Sequence, residues 1–286
     1  VSTADQGAGS QDGPGGVPLT EPAGGTPPVI TDVAGLREAC ARLAAGSGPI
    51  AVDTERASGY RYWPKAYLVQ LRREGAGTLL VDPIPLDGEL APLAEILGAH
   101  EWVLHAASQD LPCLAELGLH PPALFDTELA GRLAGYERVA LGTLVETLLG
   151  YRLEKGHSAA DWSRRPLPAE WLNYAALDVE LLVPLRGKLE AELAGQGKLD
   201  WAHQEFEAAR TAGPPAPRAE PWRRTSGIHK IKTARGLAAV RALWEERDAL
   251  ARGRDRAPGR VLPDSAIVNA VLADPRTDAE LRALPV

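Results

Sequence analysis

Asp53 and Glu55 are the first residues whose type and spacing suggest chemistry. They close the run Ile50-Ala51-Val52-Asp53-Thr54-Glu55, whose small apolar start reads as a buried strand. Side chains two apart on a strand point the same way, so both carboxylates leave the strand end on one face. Buried carboxylates that close repel each other unless something positive sits between them. A divalent cation is the simplest answer; a solvated strand end entering a turn is the plain alternative. Asp110 bears on the choice. It follows a short apolar strand and falls, with Gln109, in the first turn of a helix that Ser108 can cap. Locally it reads as an acid that compensates the helix dipole. Asp178 lies in a helix rich in Leu172, Ala175, Ala176, Leu177 and Val179. Tyr174, four residues earlier, shares its face. A surface Tyr-Asp hydrogen bond and a buried functional pair are both open readings.

The elements that must position these acids alternate between helix and strand. A helix is expected over Val33 to Leu43, capped by Thr31 or Asp32. Gly46 to Pro49 breaks it before the Ile50 strand. Tyr67 to Leu71 and Thr78 to Val81 read as an antiparallel pair around the turn Glu74-Gly75-Ala76-Gly77. Helical periodicity covers Leu86 to Leu97, a strand lies within Glu101 to His105, and a helix runs from Ser108 through Leu117. Pro121 and Pro122 precede a brief apolar run, and Asp126-Thr127 opens another helix. Leu141 to Leu149 is helical, Glu154 to Arg165 is polar, and Pro168 opens the longest helix, through about Leu193, which Pro184 should bend. Trp201 to Arg210 closes an α/β domain with a mixed sheet. Beyond it every pattern is helical: Leu237 to Leu250, Ser265 to Leu272, and a helix starting at Asp278. Residues 1–28 contain neither Lys nor Arg and are dominated by Gly, Pro, Ser, Thr and acids, so a disordered tail is expected. The expected division is a tail over 1–28, an α/β domain over 29–212, a proline-rich linker over 213–221 and a small helical domain over 222–286.

The chain of 286 residues is 45% apolar, as globular domains are. It contains no stretch of the roughly eighteen apolar residues that a membrane span requires. No basic segment followed by an apolar one opens it, so no secretory signal is expected. Cys40 and Cys113 have no metal-like spacing, and a reduced cytoplasm fits them. Methionine is absent even at position 1, so the sequence reads as less than a full translated product. A net charge of −7 argues against a protein that coats nucleic acid, but not against an enzyme that holds a few nucleotides beside acidic ligands. Local basic groups stand out from that background. Arg218, Arg223, Arg224, His229, Lys230, Lys232 and Arg235 surround one acid, Glu220. Arg252, Arg254, Arg256 and Arg260 form another group, interrupted by Asp255. Either group is a solvated linker or helix end, or a guide for RNA.

In order and spacing, the acids resemble the DEDD exonucleases, and the ribonuclease D branch in particular. Val52-Asp53-Thr54-Glu55 looks like the first exonuclease motif, and Leu104-His105-Ala106-Ala107-Ser108-Gln109-Asp110-Leu111 like the second. Tyr174-Ala175-Ala176-Leu177-Asp178-Val179 looks like the third, in its tyrosine variant. The likeness continues through Phe125-Asp126-Thr127, Leu133-Ala134-Gly135, Leu141 to Leu149, Leu153-Glu154-Lys155 and Ser163-Arg164-Arg165-Pro166-Leu167, and covers about residues 30 to 210. It implies a ribonuclease H-like α/β fold, a mixed five-stranded sheet flanked by helices. The segment Arg256 to Asp264 and on through Leu281 resembles the helicase-and-RNase-D C-terminal (HRDC) module, a small helical bundle that assists nucleic-acid binding. The chain ends at Val286 soon after a new helix begins, short for a full module.

The resemblance implies a two-metal-ion 3′-5′ exonuclease acting on RNA maturation or decay intermediates, tRNA precursors among them. Asp53, Glu55 and Asp178 would hold the first divalent ion, and Asp53 would bridge to a second that Asp110 reaches directly or through water. The ions would lie about 3.5–4 Å apart across the scissile phosphate. Hard oxygen ligands favour Mg²⁺, with Mn²⁺ a close alternative. Tyr174 would orient or help deprotonate the attacking water; a phenol titrating near pH 10 makes orientation the safer role. Products would be nucleoside 5′-monophosphates from a single-stranded RNA 3′ end, freed from structured RNA by unstacking. Thr54 is a candidate contact to the terminal sugar. His105, Lys155 and His157 are candidate phosphate contacts or supports, and Arg223, Arg224, Lys230 and Lys232 candidate RNA guides. The expected partner is RNA bound by a monomer, with no membrane. A DNA exonuclease with the same acids is the main rival reading, and a silent nucleic-acid-binding protein a lesser one. A nucleotide-binding α/β domain lacks support, since neither a G-x-G-x-x-G nor a Walker-type loop is present.

Overall fold

Strand β3 (Ser47–Arg56) is the centre of the molecule. Its residues Ile50, Ala51 and Val52 are fully buried, as β-branched and small apolar residues are when covered on both faces. The computed structural model describes residues 16–154, 156–157, 159–213, 216 and 218–284. Ahead of β3 lie β1 (Val17–Leu19), β2 (Val29–Ile30) and α1 (Val33–Ala45). After it come β4 (Ala66–Glu74), β5 (Gly77–Val81), α2 (Ala91–Leu97), β6 (Trp102–Leu104), α3 (Leu111–Glu116), β7 (Leu124–Asp126), α4 (Thr127–Ala134), α5 (Leu141–Leu149) and β8 (Tyr151–Leu153). Helices α6 (Ala169–Glu180), α7 (Leu182–Gly195) and α8 (Leu199–Thr211) finish the α/β part. The chain then forms α9 (Ala234–Gly253), α10 (Pro258–Val261), α11 (Asp264–Ala273) and α12 (Asp278–Arg282).

The main sheet runs β2-β5-β4-β3-β6-β7. β3 is antiparallel to β4 and parallel to β6. The expected five strands are β5, β4, β3, β6 and β7; the two-residue β2 adds a sixth at the edge. Gly75 and Gly77 take φ values of 80° and 74°, the left-handed conformation that lets β4 turn tightly into β5. The larger core lies between one sheet face and α1, α2, α7 and α8, with Leu36, Leu43, Leu97, Leu185, Leu189, Phe125 and Phe206 buried. The other face packs Leu68 and Leu80 against Ala175 and Ala176 of α6, with Trp162 alongside. Small alanines there let the helix lie close on the sheet.

Several expectations are corrected. The single bent helix from Pro168 to Leu193 is two helices, broken at Leu181 (φ −111°, ψ 5°). Pro184 has no N–H to give, and its ring clashes with the carbonyl four residues back, at Glu180. The helix expected from Leu86 starts at Ala91, after Gly88 turns left-handed (φ 79°). The helix expected from Ser108 begins at Leu111; Ala107–Gln109 form one tight turn instead. Pro112 is tolerated only in a helix's first turn, which sets that start. Residues 1–15 of the expected tail lie outside the described residues, but residues from 16 on are held. Val17–Leu19 pair in parallel with Tyr151–Leu153, and Ala23 N–H donates to Glu180 Oε1 at 3.2 Å. Backbone pairing and one buried carboxylate anchor the segment, together with the Thr26 hydroxyl, which donates to Asn173 Oδ1 at 2.9 Å. Of the expected linker over 213–221, residues 214, 215 and 217 lie outside the described residues.

Trp222, Ile231, Val240, Ile267 and Val268 make a separate small core for the C-terminal helices. These helices seat on the loop after β3. Ala257 N–H donates to Tyr60 O at 2.9 Å, Arg260 Nε to Gly59 O at 2.7 Å, and Tyr62 Oη to Asp248 Oδ1 at 3.1 Å.

The segment between β8 and α6 is tied to the sheet by Arg165. Its Nη2 donates to Asp82 Oδ1 at 2.7 Å and to Tyr67 O at 2.8 Å, and Asp82 is 2% exposed. Arg165→Met strands that buried carboxylate and should cost about 2 kcal/mol in urea unfolding. The neighbouring exposed Arg164→Met should stay within about 0.5 kcal/mol. Equal effects would refute the anchor.

Candidate active site

Pairing between β3 and β6 stops at Ala51↔Val103. The last four residues of β3 therefore run on past the end of β6 and leave a cleft there. Alternation sends Asp53 and Glu55 to one face and Thr54 and Arg56 to the other. Helix α6, held close by Ala175 and Ala176, brings Asp178 to the first pair. Carboxylate oxygens of Asp53, Glu55 and Asp178 lie within 4.8 Å of one another. Asp110 arrives from the turn after β6. That turn passes through Ala106, whose φ of 58° is unusual for a residue with a Cβ. Buried Asp126 holds it by accepting from Ala106 N–H (3.1 Å) and Ala107 N–H (2.8 Å), while also capping α4 through Glu128 and Leu129. The four acids, with Tyr174, His105, Arg56 and Gln109, line one cleft of about 650 Å³.

Burial is the largest influence on every one of these carboxyls, and it favours the neutral form. Asp53 is raised well above the ordinary 3.8 by burial, then by Asp110, Asp178 and Glu55. Glu55 is pushed up to about 9 by burial and by Asp178 and Asp110. Asp178 rises to about 7, although Tyr174 donates a hydrogen bond to it. Asp110 rises only to about 6, because Thr54 and Arg56 draw it back. The Tyr174 phenol is pushed far above its usual range by burial and by Asp178 and Glu55. Carboxylate oxygens are the donor set that hard divalent cations take, and acids this unfavourable to ionise alone fit a cation bound among them.

Residues 27–194 match the family model described as 3′-5′ exonuclease, and residues 236–286 match the HRDC domain. A ribonuclease D from Sphingobium indicum is 35% identical over 262 residues, which cover 89% of this chain and 66% of the relative. The crystal structure of Escherichia coli RNase D superposes with a TM-score of 0.68 at 30% identity, covering 90% of this chain and 68% of that one. The chain belongs to the ribonuclease D family. A crystal structure of a protein from Bifidobacterium adolescentis is nearer in shape, with a TM-score of 0.90 at 45% identity, covering 94% of this chain and 66% of that one. This ribonuclease D-family chain thus spans about two thirds of the length of such relatives.

The other expected site residues are distributed unevenly. Thr54 is 5% exposed and donates its hydroxyl to Asp110 Oδ1 at 2.7 Å. Its one proton is committed there, so it positions an acid where a sugar contact was expected. His105 lines the cleft with its Nδ1 2.9 Å from Thr127 Oγ1, and burial holds its pKa low. His157 sits 5.9 Å from the Trp171 and Tyr174 rings, beside a smaller adjoining cavity. Lys155 lies outside the described residues. Arg223, Arg224, Lys230 and Lys232 are exposed on the helical domain and line no part of the cleft; Arg223 pairs with Glu220 at 2.6 Å. Arg254, Arg256 and Arg260, with Tyr60 and Arg61, line a hollow beside the same loop whose Ser58 and Gly59 form the cleft rim. Arg56 was not named from sequence, and Gln109 and Asp126 were named only as first-turn and helix-opening residues, with no role at the site. Arg56 had a signal, since it sits two residues past Thr54 and therefore on its side of the strand.

Raised carboxyl pKa values mean that the folded, cation-free protein binds protons more tightly than the unfolded chain, whose acids titrate near 3.8 to 4.5. The stability these acids contribute is therefore greatest at low pH and is lost as pH rises through the folded values, up to about 9. With chelator present, Tm should fall from about pH 5 to pH 9, and Mg²⁺ or Mn²⁺ should restore most at the alkaline end. Glu55→Gln should flatten the chelated profile. A wild-type profile already flat in chelator would count against the buried, unpaired acids.

Proposed function

We propose that this chain is a metal-dependent 3′-5′ exoribonuclease that hydrolyses single-stranded RNA 3′ ends to nucleoside 5′-monophosphates, in RNA maturation or decay. The observation that carries the reading is the clustering of Asp53, Glu55 and Asp178 oxygens within 4.8 Å, with Asp110 the neighbour whose charge Asp53 feels most. Asp53, Glu55 and Asp178 would hold one divalent ion, and Asp53 with Asp110 a second, Mg²⁺ before Mn²⁺. Bound there, such ions supply a hydroxide nucleophile near neutral pH and offset charge on the departing 3′ oxygen.

The protein's own groups set the geometry. Tyr174 remains protonated at any working pH, so it orients and does not take a proton. Its hydroxyl donates to Asp178, and its oxygen would accept from the attacking water. Thr54 fixes Oδ1 of Asp110 and leaves Oδ2 for the cleft. The site lies at the foot of a cleft, which a terminal nucleotide reaches once it is unstacked. The name of the Escherichia coli relative, an exoribonuclease involved in structured RNA processing, favours RNA over DNA.

Asp53→Asn should lower hydrolysis of 3′-labelled single-stranded RNA by at least about 10³-fold with the circular dichroism spectrum unchanged. Wild-type protein with Mg²⁺ should release labelled mononucleotide from the 3′ label first, and matched DNA should be cut more slowly. Equal or faster cutting of DNA would replace the ribonuclease reading, and full activity in Asp53→Asn would remove the mechanism.

The basic residues of the helical domain are proposed to guide RNA toward the cleft. Replacing Arg223, Arg224, Lys230 and Lys232 by Gln should weaken RNA binding about tenfold at low salt, with less difference at high salt. Unchanged affinity would reduce them to solvated surface.

A further inference from the structure

Arg56 is the sole lysine or arginine that lines the catalytic cleft among the described residues. Neither the acid motifs nor the ion chemistry gives it a role. It ends β3, and its side chain leaves the strand beside that of Thr54. Nη1 donates to Gln109 O at 2.8 Å, and Nη2 lies 3.4 Å from Gln109 Oε1. Nη2 is 3.8 Å from Asp110 Oδ1, too far for a hydrogen bond. That oxygen already accepts from Thr54. The guanidinium is thus fixed next to Asp110 without being used up by it. It carries five N–H donors, and no acceptor beyond Gln109 and Asp110 reaches it among the described residues. Its side chain is 28% exposed, so the free edge meets the cleft.

We propose that Arg56 binds non-bridging oxygens of a substrate phosphodiester on the Asp110 side of the cleft, and so anchors the RNA strand against four acids that repel it. The inference rests on the exoribonuclease reading. The physical need is plain. A polyanion must enter a cleft whose walls are carboxylates, and one rigid cation there gives it a place to stop. A guanidinium suits that place because its planar fork grips two phosphate oxygens at once. The rival is a prop, with Arg56 merely holding the Gln109 carbonyl and hence the Asp110 turn.

The full chain and its Arg56→Gln and Arg56→Lys variants are compared on a 3′-labelled single-stranded oligoribonucleotide. Both KM and kcat are measured, together with binding by anisotropy over a salt series in an Asp53→Asn background. Arg56→Gln should raise KM about tenfold or more, with a smaller change in kcat. It should also reduce the slope of log K against log salt by about 0.7, the loss of one phosphate contact on a single strand. Arg56→Lys should keep the slope, because the charge remains, but recover only part of the affinity. A wild-type KM and slope in Arg56→Gln would overturn the proposal. So would a defect confined to kcat with a lowered Tm, the mark of a prop. Wild-type protein that binds RNA but never shortens it would overturn the exoribonuclease reading, while the salt slope still decides Arg56. A chain that neither binds nor cleaves would overturn both.

Discussion

The constraint on which the structure depends is the mutual repulsion of four acids removed from water. Asp53, Glu55, Asp110 and Asp178 are each raised first by burial and then, except for Asp110, by one another. Such a cluster is held together by everything around it and not by its own contacts. The three residues of strand β3 just ahead of the acids, Ile50, Ala51 and Val52, are fully buried, so Asp53 and Glu55 cannot swing apart. Helix α6 is pinned through Ala175 and Ala176, so Asp178 cannot retreat. Asp126 and Thr54 hold the Asp110 turn from behind. The stored repulsion is the affinity for a cation, seen from the other side.

The proposed function sets an acidic substrate against an acidic chain, and the local distribution of charge answers that conflict. The net charge of −7 describes the average surface, whereas attraction is local. Arg56 stands inside the cleft, and Arg254, Arg256 and Arg260 gather beside its rim. Arg260 lies over the Tyr60 ring at 3.9 Å and donates to Gly59 O, so the helical domain braces the loop that forms one cleft wall. The group around Arg223 lies elsewhere on that domain, and any guidance it gives acts at a distance.

Much of this was legible in order of residues. The period-two pattern at Asp53 and Glu55, the four-residue spacing of Tyr174 and Asp178, and the alternation of strands with helices are local facts of backbone geometry. They placed Asp53, Glu55 and Asp178 on the right elements, whereas Asp110, expected inside a helix, sits in the turn just ahead of α3; the helix starts after Gly88 and before Pro112 moved by several residues. Helix α6 was read correctly in kind but joined wrongly to α7, because the consequence of Pro184 falls on a carbonyl four residues away. The segment from residue 16 was read as tail because its composition cannot build a core; it is held by backbone hydrogen bonds to β8 and by Glu180, which composition does not report.

By itself the sequence determined which residues carry charge and which faces they share within one strand or one helix, because those depend on a repeat of two or about 3.6 residues. Only the tertiary structure decided what each side chain meets. Thr54 meets Asp110, 56 residues on, and becomes a support for an acid. Arg56 meets the carbonyl of Gln109, 53 residues on, and becomes a fixed cation at the cleft. Asp126, unremarkable as a helix cap, also holds the left-handed Ala106. A hydrogen bond is a matter of about 3 Å, and no spacing along the chain fixes a distance across the fold.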